Sequence, residues 1–185
     1  MTARKGFYAD VRALRAEVDT LTDQPYLAVS PQHGSDTANT GTSFTSPYAT
    51  MAKALAQATD MKKIFVVGDI REQIVAPLGV YGVQIIGVAG GRPRHTTSNG
   101  VVLDGNGVAW REPASATTIP LLELREQGWE IHNIMMMPRT GAAAVKLHRA
   151  ESATYPDASH FVMKGCRVIS SGSLVGYAIE DVGGA

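Results

Sequence analysis

Four short stretches of the chain read apolar, any residue, apolar, polar: VVLD (101–104), LELR (122–125), VKLH (145–148) and YAIE (177–180). Leu103, Leu124 and Leu147 are spaced 21 and 23 residues apart, and Leu147 to Ile179 spans 32. The longer interval requires an insertion, and the polar stretch RAESATYPDAS (149–159) is its natural place. A second, less regular series places an apolar strand before a turn residue in VQIIG (83–87), EIHNI (130–134) and FVMKG (161–165). Recurrence near two dozen residues, built from strands and turns alone, is what a coiled parallel sheet requires. One coil cannot bury its inward side chains. Stacked coils bury a column of Val, Ile, Leu and Met, each strand bonding to its counterpart one coil away.

The remainder of the chain agrees with this reading. Apolar or alternating runs are expected as strands at 64–67, 74–76, 83–88, 101–103, 121–124, 129–137, 143–148, 161–169 and 176–182, with Gly, Asn, Pro and Asp at the breaks. No helical pattern separates them, so a doubly wound α/β fold is not expected. The fold class expected is all-β, a parallel solenoid. Its open ends would expose apolar interior and unpaired edges. The C-terminal GYAIEDVGGA carries no plug, so a continuation past Ala185 or a covering partner is expected at that end.

Two helices are expected upstream. Phe7, Val11, Leu14, Val18 and Leu21 are spaced 4, 3, 4, 3, an a/d seam suited to oligomerisation or attachment. Packing of this stripe within its own chain is the competing reading. Val at a with Leu at d favours dimers, so a trimer would have to come from the body. A short strand over 26–30 leads into a polar loop in which Asp36 and Asn39 are weak calcium candidates. A capping helix through Tyr48, Met51, Ala52, Leu55 and Ala58 follows, with Ser46 as N-cap and Pro47 in the first turn. The organisation expected is therefore 1–24 as N-terminal helix, 25–63 as lead-in strand, loop and capping helix, and 64–185 as stacked coils.

Charge is balanced, with 17 basic and 17 acidic residues, which argues against nucleic acid as a partner. No apolar run suits membrane insertion, and the N-terminus is not a secretory signal. The single cysteine, Cys166, excludes a disulfide within the chain and reads as a small core residue.

The stretch YLAVSPQHGSD (26–36), followed by SPYATMAKAL (46–55), resembles the opening segment of pectate-lyase-like right-handed parallel β-helix proteins. IFVVG (64–68) and VQIIG (83–87) stand where the first coils of that family begin, and LLELREQGWEIHNIMMM (121–137) is similar to coils of its phage tail-spike and tail-fibre versions. His33 departs from the pattern, where a small polar residue is usual. The resemblance covers about residues 26–182. It implies a right-handed β-helix that assembles as a homotrimer. It also implies a virion component made in the host cytoplasm, docked through its N-terminus on other tail or baseplate proteins. Host surface polysaccharide is the implied external partner. A structural role in host attachment is the reading favoured here; a polysaccharide depolymerase, acting on the coils or beyond residue 185, is the alternative.

Little chemistry competes with that reading. Glu123, Glu126, Glu130, Asp104 and Glu112 are the carboxylates available for glycan cleavage, but a solvated, salt-linked outer face explains them as well. His33, His95, His132, His148 and His160 lack metal-ligand spacing. GGRPRH (90–95) is a basic turn rather than a phosphate loop. No catalytic residue, metal or cofactor is expected in this segment. Trp129, Met135, Met136 and Met137 lie in an apolar run whose alternate residues must face outward, so they are candidate subunit contacts.

Overall fold

The computed structural model describes residues 25–88, 108–113, 119–138, 141–152, 155–169 and 178–183. In chain order the elements are β1 (Leu27–Val29), α1 (Met51–Ala56), β2 (Lys63–Val66), β3 (Asp69–Arg71), β4 (Ile74–Val75), β5 (Gln84–Gly87), β6 (Val108–Arg111), β7 (Leu122–Leu124), β8 (Glu130–His132), β9 (Ile134–Met137), β10 (Val145–Ser152), β11 (Tyr155–Asp157), β12 (Val162–Lys164), β13 (Arg167–Val168) and β14 (Ile179–Gly183). The described residues are thus nearly all strand and connection, with one short helix, and the class is all-β.

Three sheets form. Sheet A runs β1-β2-β5-β8-β12, sheet B runs β3-β6-β9-β13, and sheet C runs β4-β7-β10-β14 with β11 added beside β10. From β2 onward the chain visits A, B and C in rotation, four times over. Every strand pair is parallel except the hairpin β10–β11. Each visit to the three sheets is called a round below.

Register aligns the core in columns. Ile64, Ile85, Ile131 and Met163 stack in sheet A. Ile70, Trp110, Met136 and Val168 stack in sheet B. Ile74, Leu122, Val145 and Ile179 stack in sheet C. Together they form one apolar interior in which Ile64, Ile70, Ile85, Trp110, Leu122, Ile131, Met136 and Val145 are fully buried. Each such side chain contributes about 1.5–3 kcal/mol over leaving it in water. Exposure rises in the last round, where Ile179 is 41% exposed.

The corner between sheets C and A is set by a repeated backbone state. Met61, Gly82, Gly128 and His160 have φ of 58, 65, 76 and 58°. Each lies two residues before a sheet A strand. Their amides form a ladder: Met61 N donates to Tyr81 O at 2.8 Å, Gly82 N to Gln127 O at 3.1 Å, and Gly128 N to Ser159 O at 3.0 Å. The left-handed region turns the chain sharply at the one point where a strand must leave sheet C and enter sheet A.

Several expectations are corrected by this arrangement. The run 129–137 is two strands, because Asn133 (φ 56°) bends the chain from sheet A into sheet B. The run 161–169 is likewise divided at Gly165 (φ 66°), stacked directly on Asn133. Leu124 faces Leu147 as the repeat predicts, but Ile179 pairs with Val145, two residues from the predicted partner Leu147. A two-residue slip keeps the same face inward, so the core does not resist it. The series read as less regular supplies three strands of the five-stranded sheet A. The insertion after His148 is a β-hairpin, with Arg149 opposite Asp157 and Ser152 opposite Tyr155. VVLD (101–104) and the helix and seam expected over 1–24 lie outside the described residues.

The lead-in segment is part of the stack. Leu27, Ala28 and Val29 pair with Ile64, Phe65 and Val66, so β1 is the edge of sheet A. Helix α1 begins at Met51 with Thr50 as N-cap, not at Ser46 and Pro47. Tyr48 is held extended by bridging to Val29, and Ser46 O and Pro47 O already accept from Gly41 N and Ser35 N. Two carboxylates clamp the helix start. Asp36 accepts from Ala49 N, Thr50 N and Thr50 Oγ1 at 2.8, 3.1 and 2.7 Å. Glu72 accepts from Met51 N and Ala52 N at 2.8 and 2.9 Å. Met51, Ala54 and Leu55 are thereby pressed on the first round.

Candidate functional site

Strand alternation puts the polar residues of each sheet on its outer face, and register gathers residues far apart in sequence. On sheet C, Glu123 of β7 faces Lys146 of β10, with Arg125 and His148 two residues further along. Glu123 Oε1 receives Arg125 Nε at 3.1 Å and Nη2 at 2.7 Å, and His148 Nε2 lies 3.0 Å from the same oxygen. Burial pulls the Glu123 carboxyl up. The Arg125 hydrogen bond and the charges of Arg125, His148 and Lys146 outweigh it and hold the group below the ordinary carboxylate range. His148, 7% exposed, is the last residue before the hairpin, and its carbonyl accepts from Ala158 N at 2.7 Å. The cluster therefore fixes the base of the hairpin to the neighbouring round.

Two smaller clusters decorate the other sheets. On sheet A, Glu130 Oε2 lies 2.7 Å from His132 Nε2, with Gln84 one round before and Lys164 one round after. On sheet B, Asp69 pairs with Arg111 at 2.8 Å and Arg71 at 3.2 Å.

Among the described residues the candidate carboxylates are not brought together. Glu123 belongs to sheet C and Glu130 to sheet A. Glu126 is 3% exposed, and its Oε1 accepts from Gly79 N at 2.7 Å, fixing a turn. Asp104 lies outside the described residues, and Glu112 is half-buried just past β6. General acid–base cleavage of a glycan needs two carboxyl groups, or a carboxyl and a base, facing one bond across several ångströms. A carboxylate tied to Arg125 and faced by Lys146 and His148, and a carboxylate sealed in a turn, do not provide this.

The lone thiol is equally settled. Cys166 sits at the A–B corner and donates to Ile131 O at 3.2 Å. Burial pushes its pKa up, against weaker opposing contacts from the backbone of Ile134, Lys164 and Asn133. It is a half-buried contributor to the core.

The apolar run is distributed between two faces. Trp129 and Met136 point into the core, and Trp129 Nε1 donates to Val80 O at 3.0 Å. Met135 and Met137 point the other way and join Ala109 in a separate cluster with Ile169. The expected outward methionines exist, but the single chain already covers them: Met135 is 0% and Met137 8% exposed. All four candidate subunit contacts are thus buried without a second copy. Asp36 and Asn39, weighed for calcium, are both engaged in the loop, Asn39 Nδ2 donating to Pro47 O at 2.7 Å. Among the described residues no His, Cys, Asp and Glu group is arranged to hold a metal ion, and no helix is long and apolar enough to cross a membrane.

Reading the sequence missed Glu72, whose side chain caps a helix 20 residues upstream, and the structural part played by His148. Only register brings these groups to their partners. No family model, curated protein or solved structure matches the chain.

Proposed function

We propose that the chain forms part of a rigid stalk in a phage tail spike or tail fibre, a right-handed parallel β-helix that assembles as a homotrimer for host attachment. The observation that carries this reading is the rotation of parallel strands through three sheets over a continuous apolar column. Parallel crossovers are right-handed in about 98% of cases, which supports that hand here. A stack in which each round touches only its neighbours makes a stiff, elongated body. The Glu123–His148 and Asp69–Arg111 contacts link one round to the next, which suits a load-bearing element better than an enzyme. In this reading residues 1–24 supply the association seam through Phe7, Val11, Leu14, Val18 and Leu21, and dock on other tail proteins. The virion is its location, and host surface polysaccharide its external partner.

Light scattering on residues 1–185, paired with a reducing-end assay on capsular polysaccharide and lipopolysaccharide, tests the reading. A trimer releasing no reducing ends is the expected result. A monomer at every concentration removes the assembly. Release of reducing ends replaces the stalk with a depolymerase.

A further inference from the structure

We propose that the outer face of sheet A binds an acidic polysaccharide laid along the axis of the stack, with Lys63 and Lys164 meeting its carboxylates. The inference rests on the reading above, in which host surface polysaccharide is the external partner, and gives that partner a face and a charge. Alternation and register set the outward side chains of this sheet in two columns. Lys63, Gln84, Glu130 and Val162 form one, and Phe65, Ile86, His132 and Lys164 the other. Each column crosses four strands, so the face runs about 14 Å along the axis.

The three sheets differ in what their outer faces leave open. On sheet B the outward Ala109, Met135 and Met137 are already covered. On sheet C Glu123 is tied to Arg125 and His148. On sheet A Val162 and Lys164 are exposed, and Lys63, Gln84, Ile86, Glu130 and His132 are half-buried. Among the described residues no carboxylate pairs with the ammonium group of Lys63 or Lys164.

These groups match the surface of a sugar chain, which alternates apolar ring faces with rims of hydroxyls. Ile86 supplies an apolar floor beside Phe65. The half-buried rings of Tyr26 and Phe44, 5.2 and 6.0 Å from that of Phe65, bound the face at its β2 end. Gln84 carries an amide that both donates and accepts. Glu130 and His132, 2.7 Å apart, hold each other in place between the lysines, so little side-chain freedom is lost on binding. Two ammonium groups against one carboxylate leave this face cationic on a chain of zero net charge, which selects an anionic ligand. A peptide strand fits less well. Such strands bond to a sheet edge, whereas β2, β5 and β8 have a strand on both sides.

Fluorescence anisotropy of a labelled oligomannuronate mixed with residues 1–185 tests the site, with dextran as a neutral probe and poly-glutamate as an acidic peptide. Binding of the oligomannuronate alone, weakening as salt rises, is expected. Lys63→Glu with Lys164→Glu should weaken it about tenfold or more at unchanged circular dichroism. Gln84→Ala with His132→Ala leaves both lysines in place and should weaken it about threefold or more. Arg71→Glu, on sheet B, should leave it unchanged. No binding, an equal loss in Arg71→Glu, or poly-glutamate bound as tightly each overturns the proposal. If the lysine variant does not fold, parental affinity in the Gln84 and His132 variant overturns it instead. Light scattering on the same samples separates this site from the stalk. A trimer that binds no oligomannuronate keeps the stalk and removes the site; a monomer that binds it keeps the site and removes the trimer.

Discussion

Single residues fix this fold where the backbone must do something unusual. Gly34 packs so closely that a Cβ would lie 2.1 Å from Tyr48 O, a backbone atom that cannot swing aside. Gly34→Ala should cost about 3 kcal/mol or more, read as a drop in urea midpoint at unchanged slope. His160 occupies the left-handed region without being glycine, a state that costs on the order of 1 kcal/mol. His160→Gly relieves it but adds backbone entropy to the unfolded chain. A small net stabilisation, below about 1 kcal/mol, is expected in the same measurement. Glu123 makes stability depend on acid. Its folded pKa lies below its unfolded one, so its contribution is present above the ordinary carboxylate range and lost as pH falls through the folded value. Glu123→Gln should therefore flatten the acid limb of a stability–pH curve and leave its neutral limb the same shape. The residues carrying the family resemblance turn out to have mechanical reasons: Gly34 admits Tyr48, and Asp36 caps through Thr50. Those reasons are invisible in the sequence, because Asp36 and Thr50 are fourteen positions apart.

Elements were legible where periodicity or turn chemistry was local. The capping helix was readable from its apolar stripe, and the insertion at 149–159 from its polar composition. Its true N-cap was not, because Ser46-Pro47 satisfies the local rule as well as Thr50 does, and a long-range bridge between Val29 and Tyr48 decides between them. The same holds for the strand breaks at Asn133 and Gly165. Apolar residues continue on both sides of the bend, so no change of pattern marks it. β3 was missed because only Ile70 of its three residues faces the core. Two predictions belong at this scale. Glu72→Ala should destabilise by about 1–2 kcal/mol through loss of the clamp on α1, and Asp36→Ala by a similar amount, both read by urea unfolding. Removing residues 149–157 should leave circular dichroism of the strands intact, since His148 O and Ala158 N already meet at the hairpin base.

At the scale of the molecule, stacking was legible and its arithmetic was not. The sheet A partners Ile64, Ile85, Ile131 and Met163 lie 21, 46 and 32 residues apart, so no single period describes the rounds. What repeats is the corner residue and the strand after it; the loops between vary freely. The candidate site was less legible than the fold, because the Glu123 cluster exists only once rounds lie on one another. A stack held by nearest-neighbour contacts should open from its less covered end. Amide hydrogen exchange is expected to be slowest in β5 and β8 and fastest in β12, β13 and β14. Equal rates throughout would show that the stack opens as one unit.

The corner ladder also separates reach from chain length. A round of 21 residues and one of 46 each add one strand spacing, about 4.8 Å, to the height of the column. Residues gained in a loop thicken the body and change what its flank displays, while the distance from one end to the other is counted in corners. Such a molecule can acquire new surface without losing its length, and can lengthen only by whole turns of the chain.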